Sequence, residues 1–223
     1  MIEAGFATRG TVRVMAVLLA LVAAGLGPTA AGDERGAVKK AYRSYRETIM
    51  KDLGEISLRY VCGTTLDYFG ELRDLALYAR KDELTARPLI DQLQALQFRL
   101  MVPPDDLQAM SSSELFAHAV DNGWVLKNSV KQSALGGIMV TDGRAAAAIM
   151  MAGKPAGGKF HFCNEDGDWK FDLLTVIEHS GTQLEGVARH QGVSGEKMVL
   201  RVLAGATGEE VPSKVWKPRF KRK

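Results

Sequence analysis

The stretch GKFHFCNEDGDWKFDLL, Gly158 to Leu174, constrains the fold more than any other part of the chain. Asp166-Gly167 lies between two runs that alternate large apolar and polar residues, the pattern of a two-residue hairpin turn. A turn at that position fixes the register. Glu165 faces Asp168, Asn164 faces Trp169, Cys163 faces Lys170, Phe162 faces Phe171, His161 faces Asp172 and Phe160 faces Leu173. Side chains alternate between faces, so Phe160, Phe162, Trp169, Phe171 and Leu173 share one side and His161, Cys163, Lys170 and Asp172 the other. Burying each of the larger apolar side chains is worth about 1.5–3 kcal/mol, so the aromatic face belongs to the core. The acidic residues cluster there because a tight turn favours them.

The remaining pattern divides at Trp124. Before it the chain reads as helical. Val38, Ala41, Tyr42, Tyr45, Ile49 and Leu53 fall on one face of a helix that Gly54 ends. Thr64-x-x-Asp67 opens a second helix, TTLDYFGELRDLALYAR, as a capping box. Residues 81–123 read as further helices, with Pro88 in a first turn, VPP at 102–104 as a stop, and Ser111-x-x-Glu114 capping a helix that Gly123 terminates. After Trp124, strands are expected at roughly 128–140, 144–152, 159–164 and 168–178, joined by Asp142-Gly143, the Gly/Pro-rich GKPAGG and Asp166-Gly167. Short turns between successive strands imply an antiparallel meander. Two helices follow, the first capped by Thr182-x-x-Glu185. The fold class is therefore α+β, a single domain over 32–213 with a basic tail at 214–223.

The first 31 residues do not read as part of that domain. Arg9 and Arg13 precede an apolar run from Val14 to Gly27, then Pro28 and small residues. As a helix that run would reach about 21 Å, short of the ~30 Å apolar thickness of a bilayer. Basic, apolar and small residues in that order describe an exported chain's signal peptide, cut after Ala31 or Gly32. An uncleaved anchor is the alternative. Export places the protein in the periplasm or outside the cell, where Cys62 and Cys163 could form a disulfide or remain separate buried thiols. The formal net charge of +3 is too small to imply a nucleic-acid partner.

Chemical motifs are few. His161 and Asp172 are cross-strand neighbours, but on the face away from the aromatic side, which makes a surface pair the plainer reading than a general-base dyad. NEDGD lacks the spacing of a calcium loop, and no third or fourth ligand joins His161 and Cys163, so no metal or other cofactor is expected. Gly153, Gly158 and Lys159 match a phosphate-loop spacing, but Phe160 replaces the hydroxyl residue and the segment joins two strands.

The segment FHFCNEDGDWKFDL resembles the last hairpin of the nuclear transport factor 2-like superfamily, the cone-shaped SnoaL-like fold. The aromatic strand (Phe160, Phe162), the acidic-Gly turn and Trp169-Lys170-Phe171-Asp172-Leu173 carry the resemblance. VTDGRAAAAIM, at 140–150, looks like the preceding hairpin. The resemblance implies a curved meander with N-terminal helices across its concave face, residues 81–123 as an insertion and the C-terminal helices as an extension. It also implies a concave pocket lined by Tyr42, Tyr45, Tyr68, Phe162, Trp169 and Phe171. The function expected on that basis is a secreted or periplasmic non-catalytic module, more a binder than an enzyme, taking a small apolar ligand or a protein. Two alternatives stand beside it: an isomerase- or dehydratase-type enzyme using a tyrosine and a carboxylate, with Asp67 beside Tyr68 as the candidate, and an envelope-associated protein using its basic tail. Homodimerisation through the outer sheet face is a further expectation from the superfamily.

Overall fold

The structure, a computed structural model, describes residues 28–125 and 127–222. The signal-peptide expectation therefore lies almost wholly outside the described residues. Helix α1 (Pro28–Met50) leads into a short α2 (Gly54–Ser57) and a 3-10 turn (Leu58–Tyr60), then α3 (Gly63–Tyr78), α4 (Lys81–Thr85), α5 (Leu89–Met101), α6 (Pro104–Ala109), α7 (Ser112–Asp121) and α8 (Lys127–Lys131). Strands β1 (Ser133–Thr141), β2 (Arg144–Met151), β3 (Lys154–Glu165) and β4 (Asp168–Asp172) follow, then α9 (Leu174–His190), α10 (Gly195–Thr207) and a 3-10 turn at Ser213–Trp216.

The four strands form one antiparallel meander in the order β1-β2-β3-β4. The register of the last hairpin is the one its turn imposes, from His161 opposite Asp172 to Glu165 opposite Asp168. Asp166 and Gly167 both hold positive φ, 56° and 89°, as do Asp142 and Gly143 at 48° and 70°. That backbone matches the twist of the flanking strands. The turn between β2 and β3 differs from the one expected. Ala152 and Gly153 make it, with φ of 48° and 77°, and most of the expected loop GKPAGG is the exposed start of β3. Alanine is an unusual residue at positive φ, so the sequence gives little sign of a turn there.

The cone-shaped resemblance is not upheld. The sheet is small and flat, with β1 and β4 as its edges, and it neither curls nor closes. A strand over 168–178 was expected, but β4 stops at Asp172 because the next backbone donors are claimed elsewhere. Leu173 N–H donates to Thr65 Oγ1 at 3.1 Å, and Leu174 N–H donates to Asp172 Oδ1 at 3.0 Å, which starts α9. Thr182 and Glu185 accordingly lie within α9 and cap nothing. Nor are residues 81–123 an insertion on a finished core. Phe98, Leu96, Leu107, Leu115 and Phe116 join the same buried cluster as Tyr45, Leu72 and Phe171.

Two local readings are also revised. Gly54 opens α2 rather than ending α1, and a Cβ there would collide with the Ala117 carbonyl of α7. Thr64-x-x-Asp67 is not a capping box, since Cys62 occupies the N-cap. The Ser111–Glu114 box is formed as expected, with Glu114 N–H on Ser111 Oγ at 3.2 Å and Ser111 N–H on Glu114 Oε2 at 2.7 Å.

The C-terminal end of α3 is closed by a buried cation. Arg99 of α5 is 0% exposed and donates to the carbonyls of Leu75, Ala76 and Ala79 and, at 3.3 Å, to Val215. Helix-end carbonyls lack partners of their own and carry partial negative charge, which suits a guanidinium. Burial, and secondarily the neighbouring Arg219 cation, pull Arg99 down to about 10, leaving it charged at neutral pH. The C-terminal segment docks on the same junction. Val215 and Trp216 are buried, Arg219 and Phe220 donate their backbone N–H to Leu77 O at 2.9 and 3.0 Å, and Arg219 donates to Arg99 O.

Two outcomes follow. Arg99→Met strands several buried carbonyls and is expected to cost on the order of 3 kcal/mol in urea unfolding; a loss within experimental error contradicts the capping role. Tyr45 Oη is buried without a hydrogen-bond partner among the described residues, while its ring lies 4.6 Å from that of Phe171. Tyr45→Phe keeps the ring and removes the orphaned hydroxyl, so the same measurement should show stability unchanged or raised by up to about 1 kcal/mol.

Candidate functional site

Tyr68 stands on the side of α3 that faces α5, and its hydroxyl is 2.7 Å from Asp91 Oδ1 and 2.9 Å from Gln94 Oε1. One phenolic proton serves one acceptor at a time, and the charged oxygen is the stronger. Asp91 sits in the first turn of α5, where the helix dipole favours a carboxylate. It is 6% exposed, and Arg87 Nε lies 3.3 Å from its second oxygen. Burial, reinforced by the charge of Asp91, pushes the Tyr68 phenol far above its ordinary value, so the hydroxyl is protonated and a donor at neutral pH.

The pair lines a cleft of about 390 Å³ between α3, α5 and α9. Pro88, Ile90, Leu174 and Ile177 supply apolar walls, and Glu178 and Glu185 supply further carboxylates. The close approach of α9 to α5 depends on Gly181, where a Cβ would come 2.9 Å from Ile90 Cγ2. Apolar walls with a few convergent polar groups are the usual lining of a small-molecule site.

A second cluster lies where α3 meets the sheet. Cys62 and Cys163 form a disulfide, with an S–S distance of 2.09 Å across 101 residues. Beside it Glu165 accepts from the first N–H of α3, that of Gly63, at 2.8 Å and from Lys170 Nζ at 2.9 Å. Burial acts to raise the Glu165 pKa, but the bonds from Lys170 and Gly63 and the Lys170 charge outweigh it and hold the carboxyl below its ordinary range. The two sulfurs and a Glu165 oxygen lie within 4.8 Å of one another, the spacing of a metal-ligand trio. Metals take thiolates, so the bonded sulfurs offer no such ligand, and the cluster acts as a clasp in this form.

The residues expected to line a pocket are placed as follows. Tyr42, Tyr45, Phe162 and Phe171 pack against one another and Phe160, with ring centroids 4.6–6.4 Å apart. Tyr42 Oη also bonds Ser133 Oγ at 2.7 Å. Trp169 borders a groove beside α1 with Arg59 and Tyr60. Tyr68 alone of the six lines the α3–α5–α9 cleft. Asp67, its expected partner, is exposed, and Asp91 takes that role. Asp91 was missed because it comes from a distant segment. The one available sign was Arg87-x-x-x-Asp91, a helical ion-pair spacing. Asp172 stands opposite His161 in the sheet, but its Oδ1 accepts from the Leu174 N–H at the start of α9, and no hydrogen bond joins it to His161 among the described residues.

No family model matches this chain, and neither a curated protein nor a solved structure matches it. The resemblance to the nuclear transport factor 2-like superfamily and the secreted or periplasmic terms attached to it therefore gain no support from known proteins. The non-catalytic reading is corrected as well. It required a cone and no acid–base pair at the pocket; the sheet is open, a tyrosine–carboxylate pair lines a cleft, and a Cys/Cys/Glu cluster lies at the clasp.

The depressed pKa of Glu165 has a definite sign. Its contribution to stability is fully present above the unfolded value of about 4.3 and is lost as pH falls through the lower folded value. Thermal melts between neutral pH and about pH 3 should show the wild type losing its advantage over Glu165→Gln across the acid range. A constant gap between the two curves contradicts the assignment.

Proposed function

We propose that the cleft between α3, α5 and α9 is the active site of an exported, small-molecule enzyme of the isomerase or dehydratase type. The observation that carries the reading is the 2.7 Å hydrogen bond between Tyr68 and Asp91 at the wall of a cleft of about 390 Å³. Asp91 is the base: it removes a proton from the carbon adjacent to a carbonyl, then returns it to another carbon of the same substrate in an isomerisation, or to the departing 3-hydroxyl, which leaves as water, in a dehydration. Tyr68, kept protonated by burial and by Asp91, turns its single O–H from Asp91 to the substrate oxygen on which negative charge develops, freeing the carboxylate to act as base. Arg87 forms an ion pair with the carboxylate, its Nε 3.3 Å from Asp91 Oδ2. Ile90, Leu174 and Ile177 supply the apolar surface against which a small substrate would lie.

The test is turnover in heavy water, followed by proton NMR, on a panel of small 3-oxo and 3-hydroxy carbonyl compounds. The protein should exchange, isomerise or dehydrate at least one of them, and Asp91→Asn and Tyr68→Phe should each lower that rate on the order of 100-fold while the far-UV spectrum is retained. No turnover across the panel, or full turnover in either variant, overturns the reading.

A further inference from the structure

The exposed flank of α1 carries an unpaired cationic stripe, and we infer that it docks the protein on an anionic phospholipid surface. At about 100° per residue, Arg35, Lys39, Arg43 and Arg46 fall within one narrow sector of the helix. All four residues are exposed. No ion pair to any of them occurs among the described residues, whereas Glu47 of the same helix is paired with Lys51, just past the helix end, at 2.6 Å. Arg46 donates to the Lys131 carbonyl at 2.7 Å, which sets the stripe alongside α8 and adds the exposed Lys131 to it. Lys127, on the same short helix, is neutralised by Asp52 at 2.7 Å. The other acids of α1, Asp33 and Glu34, lie off the stripe by the same helical count. The inward face, with Val38, Tyr42, Tyr45 and Ile49 buried, holds the helix against the sheet, so the stripe is presented on a rigid support.

Charge complementarity and chain order choose the occupant. A row of cations on a rigid helix matches a laterally continuous negative surface, and each basic residue near such a surface adds attraction that salt screens. α1 begins at Pro28, directly after the apolar run Val14–Gly27 that reads as a signal peptide or an anchor, so on either reading this helix is the first part of the fold to follow it. The C-terminal tail, the other cationic segment, is partly committed to the protein itself: Arg219 bonds Arg99 O and Arg222 lies 3.7 Å from Glu83. The stripe is independent of the Tyr68–Asp91 cleft, which lies between other helices.

The experiment is co-sedimentation with vesicles of phosphatidylglycerol and phosphatidylcholine, against phosphatidylcholine alone, using the protein in the form an expressing bacterium leaves it. Binding should require phosphatidylglycerol and fall steeply with added salt. Each neutralised stripe cation should weaken it by about five-fold, so the triple variant Arg35→Gln, Lys39→Gln, Arg43→Gln should sediment like the phosphatidylcholine control. These residues are exposed, and an unchanged melting curve verifies the fold. The tail variant Lys214→Gln, Lys217→Gln, Lys221→Gln should bind as the wild type does. Binding that survives salt and the triple substitution assigns attachment to the apolar N-terminal run and overturns the inference. Loss of binding in the tail variant instead, or capture by soluble polyphosphate without vesicle binding, overturns it too.

Discussion

The start of α3 is where the helical part of the protein is fastened to the sheet. Five contacts converge on residues 61–65. Val61 pairs with Phe171 as a parallel bridge, Cys62 N–H donates to Phe171 O, and Cys62 is bonded to Cys163. Gly63 N–H meets Glu165, and Thr65 Oγ1 takes Leu173 N–H. The first turn of a helix has N–H groups without partners of its own, and here a carboxylate from the last hairpin supplies one. The Thr65 contact also ends β4 where the chain turns into α9, so the clasp sets the length of the last strand as well as the position of α3.

The other end of α3 is closed by Arg99 and the docked C-terminal segment. A helix fixed at both ends presents its middle in a defined direction, and Tyr68 lies in that middle. α5 contributes both the cation that closes α3 and the carboxylate that meets Tyr68. The cleft is therefore assembled from two helices coupled directly to one another, with α9 as its third wall. A short, buried tyrosine–carboxylate contact needs such a support, because a small displacement of either partner would break it.

How much of this could be read beforehand depended on the range of each signal. The last hairpin was legible residue by residue, since the Asp166-Gly167 turn and alternation fix both register and burial from neighbouring positions. The Ser111 capping box and the Gly123 stop were legible for the same reason. Ala152-Gly153 is hidden because alanine rarely takes positive φ, and the first turn of α9 falls within the strand expected over 168–178 because Leu173 continues the alternation of Trp169 and Phe171 that a tertiary contact from Thr65 cuts off. The cleft was half legible. Tyr68 was singled out, but its partner lies 23 residues away on another helix, and adjacency in sequence pointed to Asp67. The cone failed for a related reason: a hairpin motif specifies a hairpin, and closure depends on what the chain does after it.

Hydrogen exchange measured by mass spectrometry, with the Cys62–Cys163 bond intact and after reduction, tests most directly whether the clasp holds α3 in the position that brings Tyr68 to Asp91. Local opening follows the cooperative unit that a contact supports. Reduction should deprotect residues 61–69 and the β3–β4 hairpin together, and with them the first turn of α5, while α7 and α10 keep their protection. Unchanged exchange across α3, or loss confined to the hairpin, would contradict the clasp as the support of the cleft.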